Sequence, residues 1–322
     1  MNEGELTTRL VELGVAIRTH LRTDRLEMMD AACVAEVGGA DTIFGLDRHV
    51  EPLLISALET WPEHLLPVGV FAEGLPWAPL IVGGAVNAAP KYWLLIDPID
   101  GTRGLMYEKR SAYFLAAAAP GSSALPRLSQ CIASVAVELP PPKAGWADVF
   151  VWGIDEGVRA ERHALTDGFV APCALVRPST ATGLAEAFGC VVAFFPGGKR
   201  EAAALAEEIA ATAAAHVFDD QYISTGGQMV ELMTGRDRFV VDVRPLLSAP
   251  TASCCHPYDL AIVPLARAAG IILCAPDGSE LDAPFSLDLD VAWCGYANEA
   301  IKRIVHPVVA RFAATRKQPH QA

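Results

Sequence analysis

The chain has 322 residues, of which 52% are hydrophobic and 20% charged. This excludes a disordered chain or a small stapled scaffold and leaves one large or two closely packed domains. Lys and Arg total 25 against 38 Asp and Glu, a net charge of −13, so a basic surface that tracks nucleic-acid phosphates is excluded, whereas solubility and divalent cations are both compatible. Eight cysteines are present, Cys33, Cys131, Cys173, Cys190, Cys254, Cys255, Cys274 and Cys294, and no two have C-x-x-C spacing. They are expected to be reduced core thiols rather than a zinc or redox motif. The opening Met-Asn-Glu-Gly-Glu lacks the basic start and apolar run of a signal peptide. The most apolar stretch, 260–276, is interrupted by Arg267 and is too short to cross a bilayer. A cytoplasmic protein with no membrane partner is expected.

In chain order, residues 5–36 carry apolar side chains at helical spacing, from Leu6, Leu10, Leu13 and Ile17 through Leu26, Met29, Ala32 and Val34. This predicts one or two amphipathic helices. A further helix is predicted over 46–61, with Asp47 near its start and Val50, Leu54 and Leu58 on one face. Short apolar runs bounded by Gly and Pro follow at 68–72, 80–82, 93–96, 113–119 and 132–137 and predict a central sheet. After Pro140-Pro141-Pro142 come strands at 148–152 and 157–164, and the boundary between two halves is expected near 140–170. The second half alternates strand 190–195, an Ala-rich helix 201–215, a helix or strand at 228–233, strand 238–243, helix 257–269 and strand 271–274. Such alternation marks α/β layering.

The chemistry concentrates at 91–102, Lys-Tyr-Trp-Leu-Leu-Ile-Asp-Pro-Ile-Asp-Gly-Thr. An apolar strand runs into Asp97, Pro98 denies a ladder hydrogen bond, and Asp100 follows three residues after the first acid. Gly101 permits a positive φ or a close ligand, and Thr102 offers a hydroxyl and an N–H where a helix can begin. Hard cations take such oxygens and phosphates take such N–H groups, although Asp-Pro and Asp-Gly are also ordinary turn dipeptides. Glu73 closes another apolar strand, and Asp259, in His256-Pro257-Tyr258-Asp259, is expected in the first turn of a helix with Pro257 at its first position. Taken singly, a strand-end Glu is commonly solvated and an acid in a first helical turn commonly a dipole partner.

Together these residues resemble the inositol monophosphatase family of metal-dependent sugar and inositol phosphatases. Residues 97–102 match its D-P-x-D-G-T signature without a mismatch, and 256–270 look like its second signature, W-D-x-A-A, with Tyr258 in place of Trp. The likeness runs from about residue 41 to 298. It implies an α/β (α+β) fold, a layered α-β-α-β-α sandwich of the sugar-phosphatase type in two packed halves, here 1–155 and 156–322. It further implies that Glu73, Asp97, Asp100, Asp259 and the main-chain carbonyl of Ile99 hold two or three Mg²⁺ ions. Glu73 and Thr102 would orient and deprotonate the attacking water, with Asp47 bonded to Thr102. Asp100, Gly101 and Thr102 would meet a small phosphorylated metabolite, an inositol monophosphate or a sugar phosphate. Gly226 and Gly227 stand where the family has a small-residue turn at the substrate, with Glu231 and Asp237 as candidate hydroxyl contacts. Arg103 would reach the phosphate or pair with Glu108, and a homodimer is implied as well.

Three departures from the family pattern stand out. Gly74 follows Glu73 where a second acid is common, the first lysine is Lys91 and so none precedes Asp47, and Arg103 replaces a small polar residue. Two other assignments compete. A haloacid-dehalogenase-type phosphatase has one residue between its acids, whereas Pro98 and Ile99 separate them here. A catalytically silent metal-binding or regulatory protein on the same fold would account for Gly74 and Tyr258.

Overall fold

The computed structural model describes residues 3–23, 34–37, 42–75, 79–85, 88–121, 125–248 and 254–316. Helix α1 (Glu3–Thr23) turns Leu6, Leu10, Leu13, Ile17 and Leu21 inward, as their spacing predicts. The helical reading does not extend to the end of that segment. Val34–Val37 is strand β1, paired antiparallel with β2 (Thr42–Phe44), while Leu26, Met29, Ala32 and Cys33 lie outside the described residues. Helix α2 (Gly45–Glu59) buries Val50, Leu54 and Leu58 beside α1.

An eight-stranded sheet follows, made of β3 (Val68–Ala72), β4 (Leu80–Val82), β5 (Tyr92–Asp100), β6 (Ala112–Pro120), β7 (Ala133–Leu139), β8 (Trp146–Gly153), β9 (Gly157–Ala164) and β10 (Val170–Pro172). Its order is β10-β9-β8-β7-β6-β5-β3-β4, antiparallel throughout except for β3 beside β5. Successive side chains point to opposite faces. Val70, Leu94, Ile96, Phe114 and Val135 meet α1 and α2, whereas Phe71, Trp93, Leu95, Leu115 and Phe150 face the middle of the molecule. Both faces are covered, which is why the central strands read as unbroken apolar runs.

The second sheet holds β11 (Ala187–Val191), β12 (Val217–Phe218), β13 (Asp237–Asp242), β14 (Ile272–Cys274) and β15 (Trp293–Tyr296), in the order β12-β11-β13-β15-β14. Helices α4 (Lys199–Ala213) and α7 (Glu299–Ala314) cover its outer face. Helices α5 (Thr225–Met233) and α6 (Val263–Ala268) fill the space between the two sheets. The layers therefore run α-β-α-β-α. A division at 155/156 would cut the tight turn of the β8–β9 hairpin, where Gly153 faces Gly157, and the chain instead passes from one sheet to the other between Pro172 and Ala187.

Three further elements depart from expectation. The helix expected over 257–269 is a 3₁₀ turn at Tyr258–Leu260 followed by α6, because Pro264 has no N–H to continue a helix and its ring would strike the preceding turn. Strand β15 and helix α7 lie beyond the last predicted element. The seven described cysteines are free thiols. No helix among the described residues is long and apolar enough to cross a membrane.

Gly14 lies where α1 packs against the sheet. A Cβ there would lie 2.6 Å from Phe114 and 2.7 Å from Val137. Gly14→Ala gains up to ~1 kcal/mol of helix propensity but overpacks a filled core at about 1–3 kcal/mol. A net loss of roughly 1 kcal/mol is expected, read as a lower urea midpoint, and an unchanged midpoint would show that α1 can lift off the sheet.

Candidate metal centre

Strand β5 is buried on both faces from Tyr92 to Asp100, so the site at its end is built on a rigid element. Asp97 pairs with Leu115 and Asp100 with Tyr113, three steps along β5 against two along β6. This is a bulge with one extra residue. In a regular strand, residues three apart face opposite sides; the extra residue at Pro98–Ile99 brings both acids to one side. Pro98, which cannot donate a hydrogen bond, is tolerated where the ladder is already interrupted.

Asp97 and Asp100 are almost completely buried, and Asp259 retains 16% of its side-chain exposure. One carboxylate oxygen from each lies within 4.8 Å of the others. Asp97 Oδ1 accepts the Ile99 N–H at 3.0 Å, and the Glu73 carboxyl lies beside it. Glu73 arrives there because β3 runs parallel to β5, its N–H donating to the Ile96 carbonyl at 3.2 Å. Asp259 comes from the 3₁₀ turn, and its Oδ2 accepts the His256 N–H at 2.5 Å. The His256 ring sits 3.8 Å from Asp259 and 3.6 Å from Asp290, stacked on Tyr258, whose hydroxyl lies 3.1 Å from Nδ1. Tyr258 at the family's Trp position thus packs on the histidine that flanks Asp259.

Asp100 has a different environment. Its Oδ2 accepts from Ser224 Oγ at 2.7 Å and from the Gly226 N–H at 2.5 Å, and its Oδ1 accepts from the Thr225 N–H at 3.1 Å. All three donors come from the start of α5. Ser224 is the N-cap of that helix, and its Oγ accepts the Gly227 N–H at 2.8 Å. Burial pushes the Asp100 carboxyl up to about 6 against these hydrogen bonds. Burial, then the charges of Asp100 and Asp259, hold Asp97 well above the ordinary carboxylate range. What pulls Asp97 back is hydrogen bonding with Glu73 and the Ile99 N–H.

Gly101 has φ 97° and caps a single helical turn, α3 (Thr102–Met106). A side chain there would be strained and would lie 2.9 Å from Ser224 Cβ. Thr102 is buried and its hydroxyl donates to the Ile99 carbonyl at 2.8 Å, which leaves the Thr102 oxygen as an acceptor. Arg103 is half-buried on α3. Asp47 falls in the first turn of α2, and its side chain lies outside the described residues.

Beside the carboxylates is the turn at 224–227, with its two glycines. Their N–H groups donate to Asp100 and to Ser224, and a Cβ at Gly226 would lie 2.6 Å from Leu115 and 2.8 Å from Asp100. The glycines let α5 approach Asp100 closely. Glu231 and Asp237 lie toward the opposite end of α5, Glu231 paired with Arg236 at 3.1 Å and Asp237 buried and pushed up to about 7 by desolvation and the neighbouring Glu231. Ser224 opens the small-residue turn expected at the substrate, and its hydroxyl meets Asp100. Its signal in the sequence is that of an N-cap, a serine directly ahead of a helical run.

The donor set is all oxygen, mostly carboxylate, buried, and crowded with like charge. Such a set fits a hard divalent cation.

No family model and no curated protein matches the sequence. Solved structures do match. The extragenic suppressor protein SuhB of Bartonella henselae superposes with a TM-score of 0.60 at 14% identity, over 95% of this chain and 98% of that one. An inositol monophosphatase from Zymomonas mobilis gives 0.57 at 16% identity over 96% of each chain. Fructose-1,6-bisphosphatase of Leishmania major gives 0.65 at 10% identity, over 98% of this chain and 95% of that one. With whole-chain overlap on each of these structures, the chain has the layered sandwich fold of the inositol monophosphatase and fructose-bisphosphatase structures.

Proposed function

We propose that the protein is a Mg²⁺-dependent phosphomonoesterase that hydrolyses a small phosphorylated metabolite, an inositol monophosphate or a sugar phosphate, by direct attack of water. The observation that carries this is the convergence of Asp97, Asp100 and Asp259, from two distant parts of the chain, within 4.8 Å. The likeness of the fold to an inositol monophosphatase and a fructose-1,6-bisphosphatase supports it over a haloacid-dehalogenase-type mechanism. The D-P-x-D-G-T match supports it over a silent member of the fold.

Glu73, Asp97, Asp100, Asp259 and the Ile99 carbonyl would hold two or three Mg²⁺ ions. Bound there, the ions would acidify a water and stabilise the attacking and leaving oxygens. The chain's own groups do the rest. Thr102, whose hydroxyl donates to the Ile99 carbonyl in this structure, would accept a hydrogen bond from the attacking water and so aim it. Glu73, at the end of β3 beside β5, would take the proton from that water. Asp47, near the start of α2, would take the Thr102 proton in place of the Ile99 carbonyl, which frees that carbonyl for the cation and keeps the Thr102 oxygen an acceptor. The Gly101 and Thr102 N–H groups and the Arg103 guanidinium would hold the phosphate, with no covalent phosphoenzyme. The protein is proposed to work as a cytoplasmic homodimer.

Three outcomes are expected. Phosphate release from a panel of inositol phosphates, sugar phosphates and fructose bisphosphate should require Mg²⁺ and cease with EDTA; release from none of them, with Mg²⁺ present, would favour a silent protein. Asp97→Asn should abolish turnover yet stabilise the metal-free protein by on the order of 1 kcal/mol, the worth of about one pKa unit, because it removes one of the crowded charges. Near-normal turnover in that variant would refute the metal assignment. The third outcome concerns pH. Asp97 and Asp100 titrate higher folded than unfolded, so the metal-free protein binds more protons folded and loses stability as pH rises from ~4 through about 6. Asp237 adds a loss of the same sign through about 7. Mg²⁺ cancels the share belonging to the site, so the gain in Tm from Mg²⁺ should grow between pH 5 and 8; a gain independent of pH would contradict it.

A further inference from the structure

Ser224 makes two hydrogen bonds through one oxygen. Its hydroxyl proton goes to Asp100 Oδ2 at 2.7 Å, and its lone pair takes the Gly227 N–H at 2.8 Å. The residue is 4% exposed, and its Cβ packs close to Gly101, where an added Cβ would lie 2.9 Å from it. A carboxylate offers about four lone-pair sites on its two oxygens. At Asp100 both sites of Oδ2 are filled, by Ser224 Oγ and the Gly226 N–H, and one site of Oδ1 is filled by the Thr225 N–H. A single site on Oδ1 remains for a cation. Asp100 is therefore built to be a one-oxygen ligand with a fixed direction, and the hydroxyl on Oδ2 determines which oxygen is left.

Resting on the assignment of Asp100 as a metal ligand, we propose that Ser224 is a positioning residue for the metal centre, locking the Asp100 carboxylate so that Oδ1 alone faces the cation and fastening the N-terminus of α5 to that ligand. Removing the hydroxyl frees Oδ2 to swing or to chelate. The oxygen presented to the cation is then no longer defined. Hydrogen-bond partners of metal ligands typically contribute 10–100-fold to metal affinity or activity.

Two variants separate this role from helix capping. Ser224→Gly removes the donor but leaves a residue that N-caps tolerate with little loss of stability. Ser224→Thr keeps the hydroxyl. Mg²⁺ affinity is measured by calorimetry on the metal-free full-length chain, alongside the Mg²⁺ dependence of turnover. Ser224→Gly is expected to weaken Mg²⁺ binding about 10–100-fold and to raise the half-saturating Mg²⁺ concentration in step, with kcat largely recovered at saturation. Ser224→Thr is expected to restore the affinity. Unchanged or tighter Mg²⁺ binding in Ser224→Gly, with only its melting temperature lowered, would reduce Ser224 to a helix cap and overturn the proposal. Failure of the unaltered protein to bind Mg²⁺ would overturn the metal assignment and this role with it. Mg²⁺ binding without hydrolysis would leave the positioning role to be decided by the affinities alone and would count only against the proposed activity.

Discussion

The governing constraint in this protein is the burial of two carboxylates, Asp97 and Asp100, three residues apart at the end of a central strand. Taking a charge out of water costs several kcal/mol unless it is answered. The two are answered differently. Asp100 is met by a hydroxyl and two backbone N–H groups at the start of α5, where the helix dipole also favours an anion. Asp97 faces Asp100 and Asp259, with a single backbone N–H and the Glu73 carboxyl to help it. The inner layer of helices is arranged around this asymmetry. Helix α5 brings its N-terminus to one acid, and the 3₁₀ turn before α6 adds a further acid to the other.

The same crowding accounts for details that otherwise look unrelated. Gly101 and Gly226 are small because Ser224, Leu115 and Asp100 occupy the space a side chain would take. The bulge at Pro98 breaks the regular ladder and exchanges pairing for a shared direction of two acids. His256 flanks Asp259 and Tyr258 stacks on that histidine, which gives the Tyr at a usual Trp position a packing role. Local regularity is given up at each of these points, and each lies within a few residues of a carboxylate.

Legibility of the sequence followed the range of the interactions. Strands β3 to β7 are readable because each is a short apolar run between Gly and Pro, and the acids at 73, 97, 100 and 259 because their residue types and order carry a chemical pattern. The hairpin strand at 34–37 continued a helical spacing and gave no turn signal except the Gly38-Gly39 pair after it. Helix α7 contains Pro307, which interrupts its pattern, and β15 is only four residues long. The bond between Ser224 and Asp100 spans 124 residues. No local preference of either residue encodes it; it exists only once the two sheets have packed on α5.

That last distance bears on how the molecule comes together. The first sheet is mostly hairpins, pairings that close short loops and form early. The second places β15 between β13 and β14 and joins β13 to a strand more than 50 residues later. The carboxylates at 97 and 100 thus wait on β5 for Asp259 and Ser224 to be delivered by the slower half. A group of charges completed so late contributes little to the folding barrier, so a cation held there would act chiefly as a brake on unfolding.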